Sequence, residues 1–186
     1  MNAIDNLSEI RGLECSMLSA YRDMSIADEL KASSMLGVSI DVVRMLKNTP
    51  ETMSENLERS FRANTSTMFK VSPGEMKLKE FSTMSDEVEC PIEKRIRALE
   101  RKIILELRDI CLKAPSVAAG CCGLSKTQID SIGSLSPSKV IEFCFSEKEP
   151  VLELRFRGDK NISSMLAVAS KPCFTKFALL IDRMTK

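Results

Sequence analysis

The chain of 186 residues contains no histidine and no tryptophan, and aromatic residues make up only 5% of it. Without histidine it lacks the side chain that most often serves as a general base. It also has no glycine-rich phosphate loop and no Gly-x-Ser-x-Gly nucleophile motif. The acidic residues are spread along the sequence rather than paired. These absences predict that the protein is not an enzyme.

Cysteine is present but sparsely placed. The chain has seven cysteines, none in a Cys-x-x-Cys pair, so a zinc site would lack its usual close ligands. We therefore expect no metal and no other cofactor. The adjacent Cys121 and Cys122 are typical of a buried pair of small residues. An odd number of thiols fits a reducing cytoplasm, and the sequence has no secretory signal and no apolar run of about 18 residues. We expect a cytoplasmic protein without membrane contact.

The chain also has no large excess of positive or negative charge, because its net charge is only +1. Residues 1–86 carry a net charge of −3 and residues 87–186 a net charge of +4. A chain this close to neutral is not expected to bind DNA strongly by itself. The second half is the one more suited to an acidic partner, although two ordinary solvated surfaces would explain the difference equally well.

What the chain does have is an internal repeat. The stretch MLGVSIDVVRML begins at Met35, and CCGLSKTQIDSI begins 86 residues later at Cys121. The same offset aligns pairs of identical residues: Leu13 with Leu99, Glu14 with Glu100, Arg22 with Arg108, Ala32 with Ala118, Gly37 with Gly123 and Ser39 with Ser125. Beyond one inserted residue, an offset of 87 aligns Pro50 with Pro137 and Phe69 with Phe156. The pattern predicts two copies of one unit, 1–71 and 91–186, joined by a linker at 72–90.

Each copy begins with a long amphipathic helix. Apolar residues recur three or four positions apart: Leu7, Ile10, Leu13, Met17, Ala20 and Met24 in the first copy, and Ile92, Ile96, Leu99, Ile103, Leu107 and Ile110 in the second. Pro91 suits the first turn of the second long helix. Two arrangements remain open: the long helices pack along each other, or each faces its own core.

A short helix, a glycine turn and another short helix follow in each copy. The first short helix is expected to end at a glycine with positive φ, Gly37 or Gly123. The next short helix is expected to begin after a serine N-cap, Ser39 or Ser125. Ser125 and Gln128 have capping-box spacing. Thr49-Pro50 and Ser136-Pro137 predict a third short helix.

Strands are expected near the end of each copy. In the segment EPVLELRFRGD, residues 149–159, Leu152, Leu154 and Phe156 alternate with polar residues. A weaker strand pattern runs from Thr65 to Val71. These two strands, one from each copy, are expected to pair. One or two C-terminal helices, interrupted near Pro172, should follow.

The helix-glycine-helix arrangement is the skeleton of a helix-turn-helix, although many helical hairpins share it without touching DNA. A recognition helix needs exposed basic or amide side chains. The candidates for DNA contact are Arg44, Lys47, Lys126, Gln128, Arg155 and Arg157. These few residues suit phosphate contact better than base reading. Of the two glycine turns, the one at Gly123 is the preferred contact site, because it is followed by the capping box and lies in the more basic half of the chain.

Two stretches, DELKASSMLGVSIDVVRML at residues 28–46 and LSPSKVIEFCFSEKEPVLELRFRGD at residues 135–159, resemble those of a known family. The first is similar to the central segment of the flagellar transcriptional activator D subunit (FlhD) family, and the second to the stretch after it. The resemblance covers most of residues 7–71 and 93–185. It implies a mainly helical protein that dimerises and joins a C-type partner (FlhC). The complex binds promoter DNA and activates RNA polymerase, and the partner supplies a zinc-cysteine site and much of the DNA contact.

Family members are about one copy long, whereas this chain holds two. It therefore looks like a tandem fusion of two FlhD-like units, mainly α, with a helix-turn-helix-like elbow and a short strand in each. The two units would form an intramolecular pseudo-dimer, with further self-association left open. The predicted function is a transcriptional regulator subunit acting with an FlhC-like partner on promoters of flagellar or mobile-element transfer genes. The alternative is a protein-interaction module or anti-activator that sequesters a regulator without contacting DNA.

Overall fold

The computed structural model of the protein describes residues 3–52, 66–71, 90–146, 151–155 and 166. Over these ranges the chain is mainly helical with one two-stranded sheet, which confirms the predicted fold class at that level. The helices are α1 (Ala3–Ala27), α2 (Glu29–Leu36), α3 (Ile40–Lys47), α4 (Pro91–Lys113), α5 (Pro115–Cys122), α6 (Lys126–Ser134) and α7 (Pro137–Ser146). The strands are β1 (Phe69–Val71) and β2 (Leu152–Leu154).

The long helices α1 and α4 pack along each other in antiparallel directions. Asn6, in the first turns of α1, donates from Nδ2 to Oε2 of Glu106 near the end of α4 at 2.6 Å. At the other end, Nη1 of Arg95 lies 3.0 Å from Oδ2 of Asp23. Of the two arrangements left open by the sequence, the one in which the long helices pack along each other is therefore correct. Because α1 and α4 are antiparallel, the short helices that follow α1 and those that follow α4 lie at opposite ends of the pair.

The apolar stripe predicted for each long helix forms the core. Of the twelve stripe residues named from the sequence, all are buried except Leu13, Ile92 and Leu99, which are half-buried. Tyr21, the chain's one tyrosine, is also fully buried against this core. Because the stripe residues lie between the two helices and their short companions, one continuous core joins both halves of the chain.

The short helices recur at the same offset as the sequence. α2 and α5 begin and end 86 positions apart. Each ends at a glycine with φ of +66°, Gly37 or Gly123, which confirms both predicted glycine turns. Ser39 accepts a hydrogen bond from the backbone N–H of Val42, and Ser125 forms the expected capping box with Gln128. α4 begins at Pro91 and α7 at Pro137, as predicted.

An arginine on each long helix donates a hydrogen bond to a backbone carbonyl just after the second short helix. Nε of Arg22 donates to the carbonyl oxygen of Thr49 at 2.8 Å, and Nε of Arg108 donates to the carbonyl oxygen of Leu135. Both donor and acceptor recur 86 positions apart. The same tertiary contact is thus made twice, at equivalent places.

We expect Arg22→Met and Arg108→Met each to lower the free energy of unfolding by about 1–2 kcal/mol, because each leaves a backbone carbonyl without its charged donor. Urea unfolding followed by circular dichroism measures both. The control is Lys102→Met, at an exposed position of α4, which should change the value by less than about 0.5 kcal/mol. A loss in only one arginine variant would show that the two contacts are not equivalent.

The strands pair as predicted, one from each half. β1 and β2 are antiparallel, with Phe69 opposite Leu154 and Val71 opposite Leu152. The sequence alignment matched Phe69 with Phe156, so it does not describe this pairing. A rotation that exchanges the two strands places Phe69 on Leu152 instead. That offset is 83 instead of 87, since the segment between short helices and strand is shorter in the second half. Phe156 lies outside the described residues, as do the helix expected after Pro50 and, apart from Leu166, the segment expected to form C-terminal helices.

Candidate interaction site at the two elbows

We define elbow 1 as the α2–α3 junction, residues 36–40, and elbow 2 as the α5–α6 junction, residues 122–126. Two of the predicted contact residues lie on α3 beside elbow 1. Nε of Arg44 is 3.2 Å from Oε2 of Glu29, and Nζ of Lys47 is 2.9 Å from Oε1 of the same carboxylate. The hydrogen bonds from Lys47 and Arg44 hold the pKa of Glu29 below its ordinary value. The structure therefore brings these two cations together, on one shared acid.

Gln128 lies beside elbow 2, but its side chain forms hydrogen bonds with backbone groups. Its Oε1 accepts from the N–H of Ser125 at 3.0 Å, which completes the capping box of α6. Its Nε2 donates to the carbonyl oxygen of Val71 on β1 at 3.4 Å. Both ends of the amide are thus engaged, and Gln128 links elbow 2 to the strand of the other half.

Arg155 is also engaged at elbow 2. Its Nη1 donates to the carbonyl oxygen of Cys121 at 2.7 Å and lies 3.4 Å from that of Thr67. The guanidinium lies so close to Gly123 that a Cβ on this residue would be 2.8 Å from Nη2. Burial lowers the pKa of Arg155. The backbone N–H of Thr67 donates to the same Cys121 carbonyl at 3.0 Å, so residues from both halves meet here.

Lys126 is the remaining candidate whose position can be described. It is exposed at the first turn of α6 and has no ion-pair partner within the described part of the chain. Arg157 lies outside the described residues. Of the predicted residues that the structure describes, Lys126 is thus the basic side chain most available to an outside ligand, and its role in binding DNA stays a prediction.

Two buried carboxylates were not singled out from the sequence. Glu14 and Glu100 are 0% and 1% exposed, at equivalent positions of α1 and α4. Oε1 of Glu14 accepts from the N–H of Phe69 at 2.8 Å, and Oε1 of Glu100 accepts from the N–H of Leu152 at 2.7 Å. Each long helix therefore holds the start of its own strand through one acid. The signal for this pair was their identity within the repeat, at sites inside an apolar pattern.

The electrostatics of the two acids differ in detail. Burial raises the pKa of Glu14 to about 8, against the hydrogen bond from Phe69 and the charges of Arg11 and Arg155. Burial also raises the pKa of Glu100, whose Oε2 lies 3.3 Å from Nη1 of Arg97. The equivalent Arg11–Glu14 contact is not formed. Within the described residues, Oε2 of Glu14 and the buried Nε and Nη2 atoms of Arg11 have no hydrogen-bond partner.

Three of the buried thiols are poorly suited to nucleophilic chemistry. Burial raises the pKa of Cys111 to about 11 and those of Cys122 and Cys144 to about 12, so these thiols remain protonated at neutral pH. Cys122 is buried as expected, whereas Cys121 is half-buried. The described ranges contain no group of three or more Cys, Asp or Glu side chains that could hold a metal ion.

Comparison with known proteins gave no relative: no protein-family model, curated protein or solved structure matches the chain. Among the helices in the described ranges, none has the length and hydrophobicity needed to span a bilayer.

Proposed function

We propose that the protein is a subunit of a transcription-regulating complex, acting with an FlhC-like partner on promoter DNA. The observation that carries the proposal is the matched pair of elbows. Each joins two short helices through a glycine at φ of +66° and a serine N-cap, and the two lie 86 positions apart. Such helix-turn-helix-like junctions, presented at opposite ends of one body, suit a regulator that engages an extended partner.

The same proposal includes a tandem duplication of two FlhD-like units that form a pseudo-dimer within one chain. Three features support it: the bounds of α2 and α5, which match after an offset of 86, the repeated arginine-to-carbonyl contacts, and a sheet to which each half gives one strand. The buried acids Glu14 and Glu100 each bind a strand of the same sheet. In such an arrangement, the contact between two subunits of a family dimer is replaced by the packing of α1 on α4.

The distribution of charge supports a partner-dependent role on DNA. Arg44 and Lys47 share one glutamate, and Arg155 is bound to backbone carbonyls. A basic surface large enough to hold DNA by itself is not formed by these residues. We propose that the FlhC-like subunit supplies most of the DNA contact, at promoters of flagellar or mobile-element transfer genes, where the complex activates RNA polymerase.

A mobility-shift assay on such a promoter tests the proposal. The fragment is incubated with the FlhC-like subunit alone, with the chain alone, and with both. We expect the mixture to bind at concentrations at which each protein alone binds weakly. Absence of any enhancement in the mixture would contradict a shared DNA-binding complex.

We predict that Lys126→Glu weakens DNA binding by the mixed complex more than Arg44→Glu does. Loss of one phosphate contact should weaken binding roughly 3–10-fold and lower the salt slope by about 1. Arg44 is already paired with Glu29, so its reversal should have a smaller effect. Fluorescence anisotropy across a salt series measures both quantities. Equal losses in the two variants would contradict the preference for elbow 2.

A second candidate function is an anti-activator that occupies a regulator without touching DNA. It is favoured by the internal engagement of Arg44, Lys47, Gln128 and Arg155, which leaves few side chains for DNA. In this case the chain would bind the FlhC-like subunit but lower the output of a promoter reporter. A rise in reporter output on co-expression would exclude it.

A further inference from the structure

The surface on which the two halves of the chain meet carries different side chains in each half. Half 1 is the described chain up to Val71, and half 2 begins at Cys90. On the sheet, Nζ of Lys70 lies 2.9 Å from Oε1 of Glu153, and the two residues face each other in the strand pairing. The rotation that exchanges the strands places each of these two residues on the other. Two copies of half 1 would therefore set lysine against lysine here, and two copies of half 2 would set glutamate against glutamate.

At one end of the long-helix pair, a polar pair has an apolar pair as its counterpart. Nδ2 of Asn6, a residue that is 1% exposed, lies 2.6 Å from Oε2 of Glu106. The 86-position offset matches Asn6 with Ile92 and Glu106 with Ala20, and both counterparts are apolar residues packed in the common core. Two copies of half 1 would place the amide against Ala20, and two copies of half 2 would place the carboxylate against Ile92. Either arrangement loses the hydrogen bond and leaves a polar group without its partner.

The other end of the long-helix pair repeats this pattern. Nζ of Lys31 on α2 lies 2.7 Å from Oε1 of Glu93 in the first turn of α4. The counterparts of these two residues are Val117 and Leu7, which also belong to the common core. Two copies of half 1 would place the lysine against Leu7, and two copies of half 2 would place the glutamate against Val117. Both pairings set a charged group against an apolar side chain.

A fourth contact between the halves, from Arg95 to Asp23, has no such preference. The counterparts of these residues are Glu9 and Asp109. Two copies of half 2 would keep the attraction, as Arg95 against Asp109, whereas two copies of half 1 would set Glu9 against Asp23. The difference between correct and wrong pairing therefore depends on the other three contacts, which lie on the sheet and at both ends of the long-helix pair.

From these contacts we infer that the junction is selective: each half binds the other half of this chain and rejects a second copy of itself. Selectivity comes from the wrong pairings, which leave polar groups without partners and set like charges directly opposite each other. One exposed ion pair contributes little, so the three sites act together. The partner that fits either surface is the opposite half, from the same molecule or from another copy. The inference rests on the proposed pseudo-dimer, but it needs neither a promoter nor an FlhC-like subunit.

A charge-swap cycle in the full chain tests the contact on the sheet. Glu153→Lys reproduces the lysine pair of two copies of half 1, and Lys70→Glu reproduces the glutamate pair of two copies of half 2. Each should lower Tm by about 2–4 °C, whereas Lys70→Glu/Glu153→Lys, which restores opposite charges, should melt within about 1 °C of the wild-type protein. The matched control is Lys70→Gln, which removes the attraction without adding a like charge. Its Tm should lie between those of the wild-type protein and Lys70→Glu.

A second cycle in the full chain tests the buried contact. Asn6→Ile sets an apolar side chain against Glu106, and Glu106→Ala removes the acceptor of Asn6, as in the two wrong pairings. Each should lower Tm by about 3–6 °C. Asn6→Ile/Glu106→Ala reproduces the apolar pair that the chain has at the counterpart positions. Its loss in Tm should therefore be smaller than the sum of the two single losses.

Thermal unfolding followed by circular dichroism measures all of these variants. The inference is overturned if the losses add in either cycle, or if Lys70→Gln melts as low as Lys70→Glu. Both cycles are read on the isolated chain. Additive losses would leave the result of the mobility-shift assay standing, and a failed mobility shift would leave a measured coupling between the halves standing.

Discussion

Gly123→Ala should lower the free energy of unfolding by about 3 kcal/mol, whereas Gly37→Ala should cost only about 1 kcal/mol. Both glycines have φ of +66°, where any side chain with a Cβ is strained, so the backbone contribution is the same at the two sites. The difference comes from what the added methyl group would touch. At Gly123 it would lie 2.8 Å from Nη2 of Arg155 and displace the guanidinium.

Displacing Arg155 removes its hydrogen bonds to the carbonyl oxygens of Cys121 and Thr67. At Gly37 the same methyl group would meet no described atom within 4 Å. Urea unfolding of the two variants measures the difference directly. Gly123→Ala in an Arg155→Met background supplies the control, because there the cost should fall to that of Gly37→Ala. Equal costs for the two single variants would contradict the described position of Arg155.

Raising the pH from 6 to 8 should lower the free energy of unfolding by about 2 kcal/mol through Glu14. The ordinary pKa of this carboxyl is 4.5, and burial raises it to about 8 in the folded protein. Between these values the folded state holds a proton that the unfolded chain has lost, so stability falls as pH rises. The contribution is complete below pH 4.5 and is lost as pH passes through 8. Burial raises the pKa of Glu100 as well, so its contribution has the same sign.

The matched variant is Glu14→Gln, which keeps an oxygen acceptor for the N–H of Phe69 but cannot ionise. Its unfolding free energy should vary less with pH than that of the wild-type protein, and Glu14→Gln/Glu100→Gln should vary less still. Urea titrations at pH 6, 7 and 8 give the change of the unfolding free energy with pH for each protein. Parallel pH profiles for the wild-type protein and Glu14→Gln would show that Glu14 does not carry the effect.

Local structure could be predicted from the sequence because its signals are local. The glycine turns, the serine cap at Ser125 and the proline starts of α4 and α7 each depend on residues a few positions apart. The apolar spacing of the long helices identified their buried faces for the same reason. The pairing of one strand from each half followed from the repeat.

The site could not be predicted in the same way because its contacts are distant in sequence. Gln128 and Arg155 looked like surface side chains for DNA, but their positions depend on β1 of the other half. Glu14 and Glu100 fall inside an apolar pattern, and only the folded chain shows the strand N–H groups that they accept. The offset between the two strands was predicted wrongly. The identity of Phe69 and Phe156 suggested an offset of 87, whereas the hydrogen-bonded pairing corresponds to 83.

Native mass spectrometry of a three-component mixture tests the central claim most directly. The mixture contains the chain, an FlhC-like subunit and a single-unit FlhD-type protein. If the two halves of the chain stand in for a family dimer, the chain should form a complex of defined mass with the FlhC-like subunit and displace the single-unit protein from it. No complex between the chain and the FlhC-like subunit, with the single-unit complex left intact, would contradict the account.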